Sequence, residues 1–300
     1  FYKLLYCYFY RTKDLLFRKK PFVAIVHVEL LPYIPFIAEF ILKIRRIPYI
    51  IDIDDAVYFR FKNKKNFLYF IDKIKFKYMM SNSFSILAGN NFHVKYLNQY
   101  NKNVHYFPTT IDFKKYNYLL HNKKHKVFTI VWIGTPSTTF YLINMVKILN
   151  KIKRKYSINI KVIGADKKII PNLKCEYINW SEENEVEEIS KCHLGIMPLN
   201  NSDWELGKCA YKILQYMALK LPVVASPVGV NKEIIIDNNN GMLAKNDNEW
   251  YDKISLLLND SNLMNKISNN GYETVLKQFN IENYKMQYLK VLKSILKVNI

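Results

Sequence analysis

Three closely spaced sequences between residues 195 and 230 form the strongest local pattern in the chain: Gly195-Ile-Met-Pro-Leu199, Trp204-Glu-Leu-Gly-Lys-Cys-Ala-Tyr-Lys-Ile-Leu-Gln-Tyr-Met-Ala218 and Leu221-Pro-Val-Val-Ala-Ser-Pro-Val-Gly-Val230. Their apolar runs and turn residues predict a strand, a polar loop, a helix over residues 208–219, a second strand and a glycine-containing loop. The start of a helix presents unpaired N–H groups and a positive dipole, so this segment is suited to binding an anion.

Three polar residues are predicted to share one face of this helix. Lys208, Lys212 and Gln215 are spaced i, i+4 and i+7, whereas Ile213 and Leu214 fall on another face that would pack on a sheet. Two ammonium groups at a helix start beside strand ends suit a diphosphate. The alternative is a solvated helix face, which is common in a chain rich in lysine.

Short β-type runs and helical patterns alternate along almost all of the remaining chain. The predicted strands are residues 22–27, 49–53, 85–88, 104–107, 127–133, 158–163, 176–178, 194–198 and 222–225. The predicted helices are residues 36–46, 66–80, 91–100, 140–156, 182–190, 208–219 and 282–297. This alternation predicts parallel sheets, and therefore an α/β fold of two Rossmann-like, doubly wound domains facing a cleft.

The domain limits follow from a change in composition. Residues 116–126 are polar and rich in Lys, Asn and His, which is typical of a linker. We therefore expect an N-terminal, acceptor-side domain over residues 1–121 and a C-terminal donor domain over residues 122–281. Residues 282–300 are predicted to form a helix that packs back on the first domain.

Composition limits the class of protein. Half of the 300 residues are apolar, which is typical of packed cores and not of disorder. The net charge of +20 indicates an anionic partner such as nucleic acid, lipid or phosphate, or else only a biased use of residues with AT-rich codons. The four cysteines form no C-x-x-C pair and the six histidines have no regular spacing, so no metal is expected. No run of 18 apolar residues predicts a membrane span.

The segment quoted first resembles glycosyltransferase family 4, the group 1 glycosyltransferases, in a bacterial branch with the pattern Trp-Glu-x-Gly-Lys-Cys-x-x-Lys-x-x-Gln-Tyr-Met-Ala. The resemblance implies a GT-B fold, in which Gln215 contacts the donor ribose and Cys209 lies at the donor. Lys208 and Lys212 would stabilise the leaving diphosphate, and Glu205 is a further catalytic candidate. The first glutamate of the general family signature falls on Gly207, which departs from that signature.

Two further loops resemble the donor-side loops of the same family. Ile133-Gly-Thr-Pro-Ser137 is similar to the loop after the first strand of the donor domain, where backbone N–H groups approach the phosphates. Val228-Gly-Val230 is similar to the glycine-rich turn that opens a later helix. We therefore expect Gly134, Thr135, Ser137 and Gly229 to bind the donor. The alternative for the first loop is an ordinary strand-to-helix turn.

Acceptor-side candidates come from the first predicted domain. Tyr49-Ile-Ile-Asp-Ile-Asp-Asp-Ala-Val-Tyr58 resembles the Asp-x-Asp-Asp-Ala stretch of the same branch, so Asp54 and Asp55 are predicted to hydrogen-bond acceptor hydroxyls. A metal-binding Asp-x-Asp pair and a helix cap are the alternatives, although GT-B enzymes generally need no metal. His27 and Glu29 end the preceding strand and are predicted to lie on the same side; a purely structural histidine is the alternative.

The resemblance implies a retaining enzyme that moves a sugar from a nucleotide diphosphate sugar, without another cofactor, to a glycan or lipid-linked acceptor in surface polysaccharide synthesis in the cytoplasm. A GT-B first domain begins with a strand and a glycine-bearing loop that are not recognisable here, so the first domain is expected to be incomplete at its N-terminus. The alternatives are a truncated, non-catalytic GT-B protein that binds nucleotide or glycan, and a nucleic-acid-binding protein.

Contact with the anionic inner face of the plasma membrane is a further expectation. Lysines and aromatic residues mix in one segment, which contains Lys64, Lys65, Lys73, Lys75, Lys77, Phe67, Tyr69, Phe70, Phe76 and Tyr78. Such a segment could rest on anionic lipid and meet a lipid-linked acceptor. The alternative is a partly buried helix whose lysines extend to solvent.

Overall fold

A computed structural model describes residues 2–32, 34, 36–59, 67–120 and 124–298. It contains two compact units. Unit 1 comprises Phe1–Pro108, Leu206–Cys209 and Tyr284–Ile300, and unit 2 comprises Thr109–Glu205 and Ala210–Asn283. The sequence-based limits at residues 121 and 281 stay predictions of where the domains end.

The elements follow one another along the chain as strands and helices in near-regular alternation. The strands are β1 (Ala24–His27), β2 (Tyr49–Ile53), β3 (Ser85–Ala88), β4 (Val104–Tyr106), β5 (Phe128–Ile133), β6 (Ile158–Ile163), β7 (Glu176–Ile178), β8 (Leu194–Met197), β9 (Val223–Ala225) and β10 (Met242–Leu243). The helices are α1 (Tyr2–Phe17), α2 (Ile37–Ile44), α3 (Phe67–Asn82), α4 (Asn91–Leu97), α5 (Phe140–Ile143), α6 (Val146–Lys155), α7 (Glu185–Ser190), α8 (Asp203–Leu206), α9 (Tyr211–Ala218), α10 (Asn231–Ile234), α11 (Asp247–Asn259), α12 (Ser261–Gln278) and α13 (Ile281–Val298).

Unit 1 is built on a parallel sheet with the strand order β1-β2-β3-β4. Its register aligns Val26, Ile51 and Ile86 in one row across three strands, and these side chains form a core with α2, α3 and α4. The opposite face of the sheet, which includes Ile50, packs against α13 through Ile295. Helices therefore cover both faces of this sheet, because apolar residues of its strands point to both sides.

Unit 2 is a doubly wound sheet with the strand order β10-β9-β8-β5-β6-β7. Val131 and Ile133 of β5 pack on one face with α9 and α12, whereas Ile130 and Trp132 pack on the other with α6 and α11. The order of the strands reverses between β8 and β5, so this unit has a topological switch point at the carboxyl end of β5. In sheets of this kind, ligands bind beyond the carboxyl ends of the strands at such a point.

Local differences from the predicted elements concentrate at helix ends and linkers. The helix predicted over residues 140–156 is divided into α5 and α6. The helix predicted from residue 208 begins at Tyr211, since Ala210 has a φ of 54° in the left-handed region. In the predicted linker over residues 116–126, Tyr116 and Leu119 are buried in the core of unit 2, while residues 121–123 lie outside the described residues.

The described part of the segment predicted to meet a membrane, helix α3, is packed on one side only. Lys73 and Lys77 are exposed and Phe70 is 60% exposed, so membrane contact stays a prediction. Lys64 and Lys65 lie outside the described residues, as do the side chains of Phe67 and Tyr69. Lys75 of α3 is buried and its ammonium group lies 2.8 Å from the Glu29 carboxylate, so it cannot face lipid. None of the described helices has the length and the apolar character needed to cross a membrane.

Candidate functional site

The carboxyl edge of the unit 1 sheet gathers one histidine and two carboxylates. His27 ends β1 and is the register partner of Asp52 in β2, so both side chains share a face. The two imidazole nitrogens lie 3.8 Å from carboxylate oxygens, Nδ1 from Asp52 and Nε2 from Asp54. Burial, followed by the nearby Asp54 charge, raises the pKa of Asp52. A half-exposed cluster of this type can exchange protons with, or hydrogen-bond, a hydroxyl-bearing ligand.

The chain turns sharply after this histidine, and the next predicted site residue points elsewhere. Val28 has a φ of 60°, a left-handed conformation that β-branched residues rarely adopt. Glu29, predicted on the acceptor side, instead forms the buried ion pair with Lys75, whose ammonium group also donates to Leu31 O at 2.6 Å. Its carboxylate therefore anchors α3, and this explains why a charged residue can lie in the interior here.

A short segment, Leu206–Cys209, which starts at the last residue of α8, is held in unit 1 by donors to its backbone carbonyls. The Asn90 amide donates to Leu206 O at 3.4 Å and to Lys208 O at 3.1 Å. The Cys209 thiol lies 3.0 Å from Asp54 O, which places this cysteine at the end of β2. Lys208 reaches within 3.8 Å of the Asp55 carboxylate. The predicted acceptor-side aspartates and the predicted donor-side Lys208 and Cys209 are thus neighbours within one unit.

Two glycines allow this close approach. A Cβ atom on Gly89 would lie 2.4 Å from the Cys209 sulfur, and one on Gly207 would lie 2.4 Å from the Ala56 Cβ. Neither distance is possible for real side chains, so the segment packs against the sheet edge only because both positions lack a side chain. Close packing against Ala56 therefore explains why glycine stands at residue 207, where the signature that this segment resembles has its first glutamate.

His93 completes the attachment of this segment. Its Nε2 lies 2.7 Å from Gly207 O, and its Nδ1 lies 2.8 Å from the Tyr58 hydroxyl. Because a carbonyl can only accept, Nε2 carries the proton, and in the neutral ring Nδ1 accepts from the Tyr58 hydroxyl. Burial lowers the pKa of His93 to about 4.

The second lysine of the motif belongs to unit 2. Lys212 lies in the first turn of α9, and its ammonium nitrogen is 5.5 Å from the centroid of the Trp132 ring. Lys208 precedes the helix, so the predicted shared stripe of Lys208, Lys212 and Gln215 is wrong: only the latter two lie on α9. The cause is the left-handed turn at Ala210, which interrupts the helical path.

The glycine loop after β5 lies at the switch point of the unit 2 sheet. A Cβ atom on Gly134 would meet the Trp132 ring at 2.1 Å, so this position requires glycine. The N–H of Gly134 donates to Ile163 O and that of Thr135 to the Thr138 hydroxyl, and Pro136 has no N–H. The predicted role of these backbone amides is therefore reduced, and the loop instead presents the exposed hydroxyls of Thr135 and Ser137, which lie 2.9 Å apart.

Two buried polar side chains near α9 are already satisfied within unit 2. Glu205 accepts hydrogen bonds from the hydroxyls of Tyr141 and Ser202, one on each carboxylate oxygen. The Gln215 amide donates to the Glu185 carboxylate at 3.0 Å. Both side chains are at least 95% buried, so they hold the positions of their neighbours in this structure. Their predicted catalytic and ribose contacts stay predictions.

The last predicted donor residue lies in the loop after β9. Gly229 has a φ of 52° and its carbonyl accepts from the Lys232 N–H at 3.2 Å, so it forms a turn that opens α10. Ser226 begins the same loop and also lines a polar cavity of about 410 Å³. Amide, carboxylate and ammonium groups line that cavity as well, from Asn144, Asn200, Lys245, Asn246 and Asp247. Such a lining suits a ligand rich in hydroxyl groups.

Sequence reasoning missed the residues that support the motif. Asn90 follows β3 and caps α4 through its side chain, which is a signal visible in the sequence, whereas its bonds to the Leu206–Cys209 segment are not. Tyr141 and Glu185 carry no local pattern that indicates a partner far along the chain. Among the described residues, no three or more His, Cys, Asp or Glu side chains are grouped to hold a metal ion.

Comparison with known proteins gives one family and many structural neighbours. Residues 127–260 match the family model described as "Glycosyl transferases group 1". No curated protein matches the chain in sequence. The structure resembles sucrose-phosphate synthase from Thermosynechococcus elongatus, with a TM-score of 0.70, 14% identity, and coverage of 91% of this chain and 74% of that one.

Two other neighbours are a crystal structure of HepE from Anabaena in complex with UDP-glucose and a glycosyltransferase from Rickettsia africae. The first has a TM-score of 0.67 at 13% identity and covers 86% of this chain and 75% of that one. The second has a TM-score of 0.65 at 15% identity and covers 98% and 81%. Residues 127–260, somewhat under half of the chain, are therefore similar to group 1 glycosyl transferases, and the structural likeness at these identities shows the GT-B fold.

Proposed function

We propose that the chain transfers a sugar, with retention of its anomeric configuration, from a nucleoside diphosphate sugar to a glycan or lipid-linked acceptor. We further propose a role in surface polysaccharide synthesis at the cytoplasmic face of the plasma membrane. The family match over residues 127–260 supports the reaction class. The neighbouring HepE structures, which contain UDP or UDP-glucose, support a nucleoside diphosphate donor.

One observation carries the proposed donor site: Lys212 and Gly134 lie against the same indole ring. The Lys212 ammonium is 5.5 Å from the Trp132 ring centroid, and Gly134 approaches that ring too closely for any Cβ. A cation and a pair of exposed hydroxyls, from Thr135 and Ser137, are thereby brought to the switch point of the unit 2 sheet. This is a suitable place for a diphosphate.

The proposed chemistry is electrostatic. Negative charge develops on the diphosphate as its bond to the anomeric carbon breaks, and a fixed ammonium group stabilises that charge in the transition state. Lys212 is our first candidate for this role, with the hydroxyls of Thr135 and Ser137 as hydrogen-bond donors. Lys208, held beside Asp55 in unit 1, is the second. We propose that these protein cations act without a bound metal.

Glu205 and Gln215 would not stabilise the diphosphate charge as the lysines do. We propose that Glu205 positions α8 and α5 through its bonds to Ser202 and Tyr141. Gln215 would exchange its bond with Glu185 for one to the donor ribose, since an amide can both donate and accept. Cys209 and Gly229 would shape the donor-side backbone. These proposals are independent of the choice of sugar.

The acceptor would meet the half-exposed cluster at the carboxyl edge of the unit 1 sheet. His27, which lies within 4 Å of both the Asp52 and the Asp54 carboxylates, forms with them a group that offers hydrogen-bond donors and acceptors. Asp55 extends this cluster towards Lys208. A hydroxyl group of a glycan is complementary to such a site, because it donates one hydrogen bond and accepts others.

The test is the replacement of Lys212 in a transfer or donor-hydrolysis assay. A screen of nucleotide sugars by thermal shift first identifies the donor, since a ligand at about 100 times its Kd stabilises the native state by about 2.7 kcal/mol. We expect Lys212→Ala to lower kcat/KM with that nucleotide sugar by roughly 10²–10³-fold. Losses of this size follow in other enzymes when one group that stabilises transition-state charge is removed. Lys212→Arg should retain more of the activity, because it keeps the charge.

The chain offers a matched control at the other end of the same helix. Lys220 lies 4.9 Å over the Tyr272 ring, so Lys220→Ala removes a similar contact away from the proposed donor site. We expect this variant to keep kcat/KM within about twofold, as exposed substitutions away from a site usually do. Equal losses in both variants would contradict the proposed role of Lys212. Donor binding without any turnover by the wild-type chain would favour the non-catalytic alternative.

A further inference from the structure

Helix α1 exposes an extensive apolar surface. None of its described residues is buried, although it is attached to the rest of unit 1 by the Tyr8 hydroxyl, which donates to Pro32 O at 2.5 Å. Its exposed apolar and aromatic side chains are Tyr2, Leu4, Leu5, Tyr6, Phe9, Tyr10, Leu16 and Phe17. Tyr2, Tyr6, Phe9 and Leu16 recur at helical spacing, so they share one face. Phe9 is 68% exposed, which is unusual for so large an apolar ring.

The neighbouring helix α2 adds a second exposed stripe. Ile37, Phe40 and Ile44 are spaced i, i+3 and i+7 and are all exposed, whereas the opposite face of α2 is buried in the unit 1 core. The two helices are joined by Arg45, whose guanidinium donates to Leu15 O at 2.5 Å and to Arg18 O at 2.6 Å. The apolar surface therefore extends over two packed elements of one unit.

The charges around these stripes distinguish between possible partners. Residues 2–20 carry six basic side chains and a single carboxylate, Asp14, which pairs with Arg18 at 3.7 Å. Lys43 and Arg46 add exposed positive charge at the end of α2. A second copy of this chain seated on the same surface would bring like charges together, which opposes association. An anionic bilayer supplies the opposite charge and an apolar layer for the rings.

We propose that the α1–α2 surface docks unit 1 on an anionic lipid bilayer. The aromatic and aliphatic side chains enter the headgroup–acyl boundary, and the lysines and arginines contact the phosphates of the headgroups. This surface is separate from α3, for which the sequence predicted lipid contact and in which Lys75 is buried in an ion pair. The proposal deepens the proposed function by naming the surface that would meet a lipid-linked acceptor, but docking requires no donor and no turnover.

Vesicle flotation of the full chain tests this inference. We expect the protein to float with vesicles of phosphatidylcholine and phosphatidylglycerol, to bind vesicles of phosphatidylcholine alone far less, and to dissociate when NaCl is raised from about 0.1 M to about 0.5 M. Lys3→Gln/Lys13→Gln/Lys19→Gln should lower the partition coefficient about a hundredfold, at roughly fivefold for each cation. Tyr6→Ser/Phe9→Ser should also weaken binding to the anionic vesicles at about 0.1 M NaCl, since it removes rings that would enter the bilayer.

Matched substitutions on unit 2 test whether net charge alone explains the binding. Lys232 of α10 and Lys266 and Lys277 of α12 are exposed, so Lys232→Gln/Lys266→Gln/Lys277→Gln removes the same number of charges without touching α1 or α2. Equal losses of binding in the α1 and unit 2 lysine variants would overturn the proposal, as would equal binding to both vesicle types. A dimer seen by light scattering that dissociates in Tyr6→Ser/Phe9→Ser would assign the surface to a second copy instead. Donor-induced thermal shifts should be unchanged in every variant, so failure of docking and failure of donor binding remain distinguishable.

Discussion

The two halves of the motif over residues 204–218 are held in different ways. Leu206–Cys209 has no regular structure beyond the last residue of α8, and polar donors from Asn90, His93 and the Cys209 thiol secure it in unit 1. Helix α9, only two residues later, is held in unit 2 by apolar side chains such as Ile213 and Leu214. Backbone carbonyls outside a helix need donors from elsewhere, whereas those within a helix are already paired. Hydrogen bonds therefore position the first half of this continuous sequence, and apolar packing positions the second half.

The largest effect that would test this difference is a dependence of stability on pH through His93. Its pKa is about 4 in the folded protein and about 6.5 when unfolded, so the unfolded chain binds more protons between these values. The stability contributed by the neutral histidine is complete above pH 6.5 and is lost as pH falls towards 4. We expect the free energy of unfolding in urea to fall by roughly 2 kcal/mol between pH 7 and pH 5 from this group.

His93→Gln provides the comparison for that measurement. A glutamine amide can donate to Gly207 O without titrating, so the variant should lose most of this pH dependence. His193 in unit 2, whose pKa burial also lowers to about 4, supplies a control outside the segment. His193→Gln should leave the His93 contribution in place. The same slope in His93→Gln and the wild type would show that this histidine is not buried in its neutral form.

A steric change at Gly89 should have the next largest effect. Its added Cβ would lie 2.4 Å from the Cys209 sulfur, so Gly89→Ala must displace the segment and should destabilise the protein by about 1–3 kcal/mol. Urea denaturation of Gly89→Ala, Cys209→Ala and the double variant measures how much of this cost depends on the sulfur. We expect the double variant to be at least about 1 kcal/mol more stable than additivity predicts.

Additive effects in that cycle would mean that Gly89 contacts the segment less closely than the structure shows. Close packing at the sheet edge would then not explain how Leu206–Cys209 is held. A loss of stability in Cys209→Ala alone larger than about 1.5 kcal/mol would indicate that the thiol's hydrogen bond to Asp54 O is more important than its size.

The sequence predicted the strands much better than the contacts between distant residues. Runs of β-branched residues such as Tyr49–Ile53 and Ile158–Ile163 are strands with the predicted limits, because local apolar pattern suffices to define a buried strand. The start of α9 was predicted three residues too early, since nothing local indicates the left-handed conformation of Ala210. The pairing of Glu29 with Lys75 could not be foreseen either, because it joins positions 46 residues apart. Ion pairs of this kind depend on the completed fold.

The candidate site shows the same limit of local pattern. The i, i+4, i+7 spacing predicted one stripe for Lys208, Lys212 and Gln215, because residues 208–219 were taken as one helix. The structure instead assigns Lys208 to unit 1 and Lys212 to unit 2. The sequence pattern identified the polar residues of the candidate site. It did not predict which residue each of them contacts in the folded protein.

The smallest expected effect on stability comes from Lys208, and it separates function from folding. Its ammonium group lies 3.8 Å from the Asp55 carboxylate, and the Asp55 side chain is 44% exposed. Solvent therefore weakens this ion pair. Lys208→Gln should therefore change the free energy of unfolding by at most about 1 kcal/mol. If Lys208 also stabilises the leaving diphosphate, the same variant should lower kcat/KM by at least about tenfold in the transfer assay.

Asp55→Asn, which breaks the same ion pair from the other side, is the control. It should match Lys208→Gln in stability while leaving donor-induced thermal shifts unchanged. A Lys208→Gln enzyme with full activity would confine the proposed diphosphate contact to Lys212, and the two lysines of the motif would then differ in role as well as in the unit that holds them.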